Sequence, residues 1–450
     1  MLKVSDKIEV TIEKIVFGGE GLGYYNDMVI FVPMSCIGDK LLVKIISVKK
    51  TYARALIDKI LVSSSDRSNE LISFEENVGC DFNHIKYEKQ LEYKSIMLKD
   101  MFKSISKLDV SNVYEGIIRA DNILNYRNKV ATPFFKIEGK IHTGFFKRKS
   151  HDIFYVEKDL LKSKIATKIE NKLLEKLNLE NFTVYNDSTN KGFLKTLIIR
   201  NNSKNEVMIG VVVNKKTDLK KLEKVLKHVY NENDEIVSVY VSIKNKQNNI
   251  ILGEENILLF GSEYITEKLF NIEFKIYLDS FFQINIDQVV KLYKKAIEYL
   301  GDSKQKNVID AFSGTGTIAM ILSNVCRKIY AIESVKSAVK SGKKVAKENN
   351  IDNIEFVCNK VENSIDKILN TEKIDYIVFD PPRKGLDTET IKEVSNSNIK
   401  KVVYISCEPS RFARDLNIFM QYGYTMLKLS AVDMFSNTHH IETVSLLVRK

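Results

Sequence analysis

The chain has 450 residues, of which 44% are hydrophobic, and a formal net charge of +11. That length exceeds one ordinary domain and implies two or three. No stretch approaches the ~18 uninterrupted apolar residues of a membrane span, and the first residues, MLKVSDKIEV, lack the apolar run of a signal peptide. A soluble cytoplasmic protein is therefore expected, with nothing requiring more than a monomer. Excess positive charge raises the local concentration of polyanions such as RNA, although lysine-rich composition alone does not establish such a partner. The five cysteines, Cys36, Cys80, Cys326, Cys358 and Cys407, are scattered and form no CxxC pair. Neither a disulfide framework nor a metal site is expected from them.

Residues 1–62 read as short strands around glycine turns: KIEVTIEKIVF, MVIFVP, KLLVKIISVKK and YARALIDKI, with GGEGLG between the first two. That spacing predicts a small β-barrel. The polar run SSSDRSN, residues 63 to 69, reads as a linker. A helical stretch follows near residues 84–107, then mixed strands and helices to about residue 270. Within them, Phe145-Phe146-Lys147-Arg148-Lys149-Ser150-His151 sets aromatic rings beside cations. Rings can stack on bases while cations meet phosphates; an ordinary solvated loop has the same composition.

From about residue 271, strands alternate with helical spacers: KNVIDAF, KIYAIES, NIEFVCN, IDYIVFD and KKVVYIS. This predicts a mostly parallel sheet covered by helices on both faces. The first of these strands runs into Asp310-Ala311-Phe312-Ser313-Gly314-Thr315-Gly316-Thr317, and the second ends in Glu333, 23 residues after Asp310. Glycines admit a close ligand, and an acidic residue at that place suits ribose hydroxyls. The GxGxxG that a pyrophosphate requires is missing, which favours S-adenosylmethionine over a dinucleotide. The fourth strand ends in Asp380-Pro381-Pro382-Arg383, at the sheet edge where ligands bind in open α/β folds.

The fifth strand ends in Tyr404-Ile405-Ser406-Cys407-Glu408-Pro409. Cys326 and Cys358 read as small buried hydrophobes. Cys407 reads as a nucleophile, with Arg411 and Arg414 expected to favour its thiolate. A thiolate that adds to carbon 6 of uracil makes carbon 5 nucleophilic enough to accept a methyl group. A base must then remove the proton on carbon 5. Glu442 in Thr438-His439-His440-Ile441-Glu442 is the first choice, and His439 or His440 could also serve.

These motifs resemble the RNA uracil-5 methyltransferases, which make 5-methyluridine in ribosomal or transfer RNA. The resemblance covers nearly the whole chain. GEGLGYY, VIFVPMSCIGDK and YARALIDKI resemble the TRAM domain, an OB-like RNA-binding barrel. HIKYEKQLEYK, NYRNK and GFFKRKSHD resemble the central domain, and SFFQIN, DAFSGTG, DPPRKGLD, SCEPSRFARDL and THHIETV the later motifs. The resemblance implies an α/β protein with a TRAM β-barrel over 1–62, a central α+β RNA-binding domain over 70–270, and a Rossmann-like S-adenosylmethionine-dependent methyltransferase domain over 271–450. It implies Gln283, Phe312, Glu333 and Asp380 as cofactor contacts, Asp380 facing the uracil as well, Cys407 as nucleophile and Glu442 as proton acceptor. The barrel leans toward 23S ribosomal RNA, with transfer RNA open. A cytosine-5 methyltransferase or a non-catalytic RNA-binding protein would share parts of the same pattern.

Three features depart from the family. Many members hold an iron–sulfur cluster on a run ending in CGGC, where this chain reads Asn77-Val78-Gly79-Cys80. One thiol cannot replace about four, so no cluster is expected. Glu408 stands where asparagine is frequent after the nucleophile, and Ser436 and Asn437 stand where proline and histidine are common.

Overall fold

Glycine and alternation shape the first 62 residues. In the computed structural model, which describes residues 2–68, 79–146, 152–157 and 159–449, strands Lys7–Thr11, Lys14–Ile15, Gly21–Tyr25, Met28–Val32, Lys40–Val48 and Tyr52–Val62 make one six-stranded sheet. Ile8 and Val10, and Leu41, Val43 and Ile45, point inward at the two-residue period of a strand. A side chain on Gly23 would meet the Thr11 backbone oxygen at 2.2 Å. Glycine there lets two strands cross closely and curls the sheet into the expected small barrel. The expected first strand breaks in two because the Ile12 N–H turns to the Asp39 carbonyl, 2.9 Å away. The described part of the expected linker, Ser63–Ser68, is pinned rather than loose. Buried Arg67 pairs with Asp39 at 2.7 Å, and the Ser64 hydroxyl donates to the Ile37 carbonyl at 2.6 Å.

The chain forms two compact units, Met1–Asp121 with Asp287–Lys450, and Asn122–Ile286. They cut the chain differently from the expected segments 70–270 and 271–450. The cause is long-range pairing and packing. Strand Tyr114–Ile118 runs parallel to Tyr424–Val432 at the edge of the large sheet. Helix Tyr87–Ile105 sets Phe102 edge-on against Phe412 of helix Pro409–Gln421. Both early elements therefore belong with the C-terminal sheet.

That sheet has eight strands, in the order Ile354–Cys358, Lys328–Glu333, Asn307–Ala311, Tyr376–Phe379, Lys401–Ser406, Glu442–Arg449, Tyr424–Val432 and Tyr114–Ile118. The first five are mutually parallel, as expected, and Glu442–Arg449 is antiparallel to both neighbours. Chain order reverses between Asn307–Ala311 and Tyr376–Phe379. Such a switch opens a crevice at the carboxyl ends of the strands.

The second unit holds a seven-stranded sheet running from Ile153–Tyr155 through Lys140–Phe146, Lys129–Ile137, Leu194–Asn201, Val207–Val213 and Ile236–Ile243 to Glu255–Gly261. Helices Lys164–Asn178 and Leu219–Asn231 bury Leu173, Leu177, Leu222 and Leu226 against Leu197, Ile199 and Val211 of that sheet. Of the basic patch singled out above, Phe145 and Phe146 end a strand, and residues 147–151 lie outside the described residues.

Candidate active site

The turn after Asn307–Ala311 is built from unusual backbone. Gly314 and Gly316 take φ of +57° and +80°, and Phe312 takes +66°. For a bulky residue that left-handed conformation is strained, and such strain concentrates at functional sites. A side chain on Gly316 would meet the Phe356 ring at 2.8 Å, while one on Gly314 would meet nothing within 4 Å. Glycine at 314 is therefore demanded by its conformation, and glycine at 316 by both conformation and packing. Glu333, at the end of the next strand, accepts the Gly314 N–H at 3.0 Å and the Val335 N–H at 2.7 Å. Its carboxylate is thus held at the mouth of the turn. Buried Asp310 accepts the Ala319 N–H at 2.8 Å and ties the following helix to the strand.

Asp380 and Cys407 lie just past the carboxyl ends of the next two parallel strands, Tyr376–Phe379 and Lys401–Ser406. The antiparallel register pairs Ser406 with Thr443. One further step of that register sets Cys407 opposite Glu442. Strand pairing therefore brings the two positions near each other, and Glu442 acts electrostatically on the thiol, although 35 residues separate them in sequence.

The loop before Glu442 is clamped by helix Tyr87–Ile105. Lys94 and Asp433 are fully buried and pair at 2.5 Å. Asp433 also accepts the Tyr87 hydroxyl at 2.8 Å and the Ser436 hydroxyl at 2.7 Å. Gln90 and Asn437 exchange two hydrogen bonds, of 2.9 and 3.0 Å. Asn437 sits at φ +62°, a conformation that asparagine tolerates. Ser436 and Asn437, which stand where the family commonly has proline and histidine, are thus both used to hold the loop. Asp81 accepts the His439 backbone N–H at 2.9 Å and also binds the His439 ring. The barrel reaches this loop too, since a side chain on Gly19 would meet His439 Cβ at 2.9 Å.

Burial dominates the electrostatics. It pushes Glu442 up to about 8, with Asp380 raising it further and Arg383 opposing. It pushes Asp380 up to about 7, and holds Asp310 far above the carboxylate range with help from Asp380. The Cys407 thiol is pushed up to about 12 by burial, then by Glu442 and Asp380, against Arg383. His440 is pushed down to about 4 by burial and then by His439, whose ring lies 4.3 Å away. Burial works to raise Asp81, but its hydrogen bond with His439 prevails and holds it low.

Several expectations need correction. Arg411 and Arg414 do not serve the thiol. Arg411 is exposed, while Arg414 is spent on Asp415 and on the Leu386 carbonyl at 2.9 Å. The cation that acts on Cys407 is Arg383. Glu408 accepts the Ser410 hydroxyl at 2.7 Å, and the carboxylates that raise the thiol are Glu442 and Asp380. Cys358 is exposed rather than buried, because its strand is the outer edge of the sheet; Cys326 is buried as expected. Phe312, Glu333, Asp380, Cys407 and Glu442 all belong to the first unit. Gln283 belongs to the second, where its backbone oxygen accepts from the Asn128 amide at 3.0 Å. The clamp residues Gln90, Lys94 and Asp433 were missed in the sequence. The available signal was two polar residues, Gln90 and Lys94, at an i, i+4 spacing among the apolar positions Leu91, Met97 and Leu98.

Comparison with known proteins places this geometry in context. The family model described as tRNA (Uracil-5-)-methyltransferase matches residues 86–450, and the TRAM domain model matches residues 2–57. An uncharacterized RNA methyltransferase of Fusobacterium nucleatum is 48% identical, covering 100% of this chain and 97% of that protein. One from Caldanaerobacter subterraneus is 34% identical, covering 100% and 99%. The crystal structure of the Pyrococcus abyssi tRNA (uracil-54, C5)-methyltransferase in complex with S-adenosyl-L-homocysteine superposes with a TM-score of 0.76 at 26% identity, covering 98% of this chain and 100% of that one.

Proposed function

Because this chain belongs to the TRAM-containing tRNA (uracil-5-)-methyltransferase family and is an RNA methyltransferase, we propose that it methylates carbon 5 of a uridine, with S-adenosylmethionine as donor, Cys407 as nucleophile and Glu442 as proton acceptor. The observation that carries this reading is the register that sets Cys407 opposite Glu442 at the carboxyl edge of the sheet.

The glycine turn fits the donor. Gly314 faces open space, Glu333 is oriented by two N–H groups toward the place where ribose hydroxyls bind, and the aromatic Phe312 is held beside them in a strained backbone. When bound, S-adenosylmethionine supplies an electrophilic methyl group at carbon 5. Gln283 is assigned to the same cofactor by the family motif SFFQIN. Asp380 stands between the turn and the thiol and serves the cofactor side, the uracil side or both.

The chain's own groups handle two protons and one transient bond. The Cys407 sulfur bonds to carbon 6, and its proton passes to a carboxylate; Asp380, with a proton affinity near neutrality, suits that task. The ring electrons move to carbon 5, which becomes the nucleophile. After methylation, the ionised Glu442 takes the proton from carbon 5. The carbon–sulfur bond then breaks, its electron pair returning to sulfur. Glu442, raised to about 8, is a stronger base than His440, lowered to about 4. That difference favours the carboxylate over the imidazole.

Large-subunit (23S) ribosomal RNA is the target proposed first, on the strength of the TRAM barrel. Transfer RNA is the second reading, favoured by the Pyrococcus abyssi enzyme, which is named for it. In either RNA the uridine must leave its stack to reach the thiol. The test is nucleoside mass spectrometry of ribosomal and transfer RNA from a deletion strain. Loss of 5-methyluridine from one large-subunit position is expected. Loss from transfer RNA alone selects the second reading, and unchanged 5-methyluridine in both contradicts the proposal.

A further inference from the structure

The second unit carries a groove of about 810 Å³ that the proposed reaction leaves without a role. That size falls within the usual range of ligand pockets, about 300–1,000 Å³. Its walls come from the loops around Tyr185 and Lys246, and from Phe146 and Ile153 at the sheet edge. Among the described residues, three lysines, Lys195, Lys244 and Lys246, line it, against one acid, Asp187.

Two of these lysines are held by neutral groups. The Lys195 ammonium donates to the Lys244 carbonyl at 2.9 Å and lies 3.8 Å from the centre of the Tyr185 ring. The Lys244 ammonium donates to the Asn248 carbonyl at 2.9 Å. Among the described residues neither forms an ion pair, while Lys246 has a loose one with Glu254, at 3.7 Å. Partial burial pushes Lys195 and Lys244 below the ordinary lysine range. Lys244 adds to the effect on Lys195, and Asp187 and Glu254 oppose it in both. Concentrated cations with so little compensation are costly in a protein alone, and a bound polyanion relieves that cost. Phe146, 47% exposed at the rim, offers a flat apolar face beside them.

We propose that this groove binds a single-stranded segment of RNA, its phosphates meeting Lys195, Lys244 and Lys246 and an unpaired base stacking on Phe146. Cations that track a backbone beside an aromatic platform are the elements of sequence-tolerant single-strand binding. The inference rests on the reading that RNA is the substrate. It adds a second place where that RNA is held.

The test uses the full chain and fluorescein-labelled decauridylate, with polarisation measured from 50 to 200 mM KCl. Lys195→Met with Lys244→Met is expected to weaken binding about tenfold and to flatten the log–log salt slope by ~1.4, two phosphate contacts at about 0.7 each. Lys246→Glu, at an exposed position, is expected to weaken binding about threefold without affecting folding. Phe146→Ala is expected to weaken binding with the slope unchanged. Wild-type affinity and slope in all three variants overturn the proposal, as does equal affinity for a ten-base-pair RNA duplex. Methyl transfer by the wild-type chain to total RNA is measured in parallel. Decauridylate binding that depends on the groove lysines in a chain that methylates no RNA supports the groove and sinks the catalytic reading. Active methylation with unaltered binding by the variants sinks the groove alone.

Discussion

Two charged regions of the molecule are built in opposite senses. At the edge of the eight-stranded sheet, Asp310, Asp380 and Glu442 are acids withdrawn from water, and burial drives all three toward the protonated form. In the groove of the second unit, Lys195 and Lys244 are cations among neutral partners, and burial drives both toward the neutral form. Other buried charges are matched, as in Lys94 with Asp433, Arg67 with Asp39 and Lys162 with Glu170, whereas buried Arg200 is held by the Leu278 and Ser280 carbonyls. Unmatched buried charge is expensive. On our proposal, these two places are where a proton and a polyanion are handled.

The contrast can be broken most severely at its acidic end. Glu442→Gln keeps size and hydrogen bonding but cannot accept a proton. Turnover is expected to fall by roughly 10²–10⁴-fold, the usual worth of a general base, while the first methyl transfer to bound RNA persists. Rapid-quench measurement of tritiated methyl incorporation separates the two. A variant that turns over like the wild type contradicts the assignment.

The matched pair gives the next largest effect. Asp433→Ala leaves Lys94 buried without its carboxylate, which is expected to cost about 3–5 kcal/mol. Lys94→Met with Asp433→Leu removes both charges and is expected to recover most of that stability. Urea titration reads both changes. If the clamp also positions Glu442, the double variant regains stability while its kcat stays low at unchanged KM; full recovery of kcat limits the clamp to folding.

The pH responses are smaller and follow from sign. Glu442 acts as a base only when ionised, so the rate is expected to climb through about pH 8. The folded state binds this proton more tightly than the unfolded chain does. Glu442 therefore makes stability fall as pH rises from about 4.5 to about 8. Glu442→Gln removes that contribution, so its Tm should drop less than the wild-type Tm between pH 6 and pH 9. Equal drops in the two proteins argue against the raised carboxyl.

What the sequence disclosed was local. Glu333, Asp380 and Cys407 were legible because each closes a short apolar strand, and strand ends in such a sheet share one edge. What it hid was long-range. Nothing within Tyr114–Ile118 says that it will pair with Tyr424–Val432, so the expected segments and the compact units differ there. Cys358 looked like a core residue because an apolar run does not reveal which strand is the sheet edge. Nothing in the sequence around Lys94 points to Asp433, 339 residues away. The chemistry proposed for Cys407 was also not legible in its charge environment. Burial raises its thiol to about 12, much as it raises Cys36. Place, rather than resting acidity, separates the two: Cys36 lies buried in the barrel, and Cys407 faces Glu442 at the crevice.

The most direct test is therefore a bond to that sulfur. RNA transcribed with 5-fluorouridine cannot release its carbon 5 substituent as a proton. Incubated with the wild-type chain and S-adenosylmethionine, it should form a covalent complex that survives denaturing electrophoresis and maps to the peptide containing Cys407. Cys407→Ala should form none. A stable complex in that variant, or one that maps to another cysteine, contradicts the account.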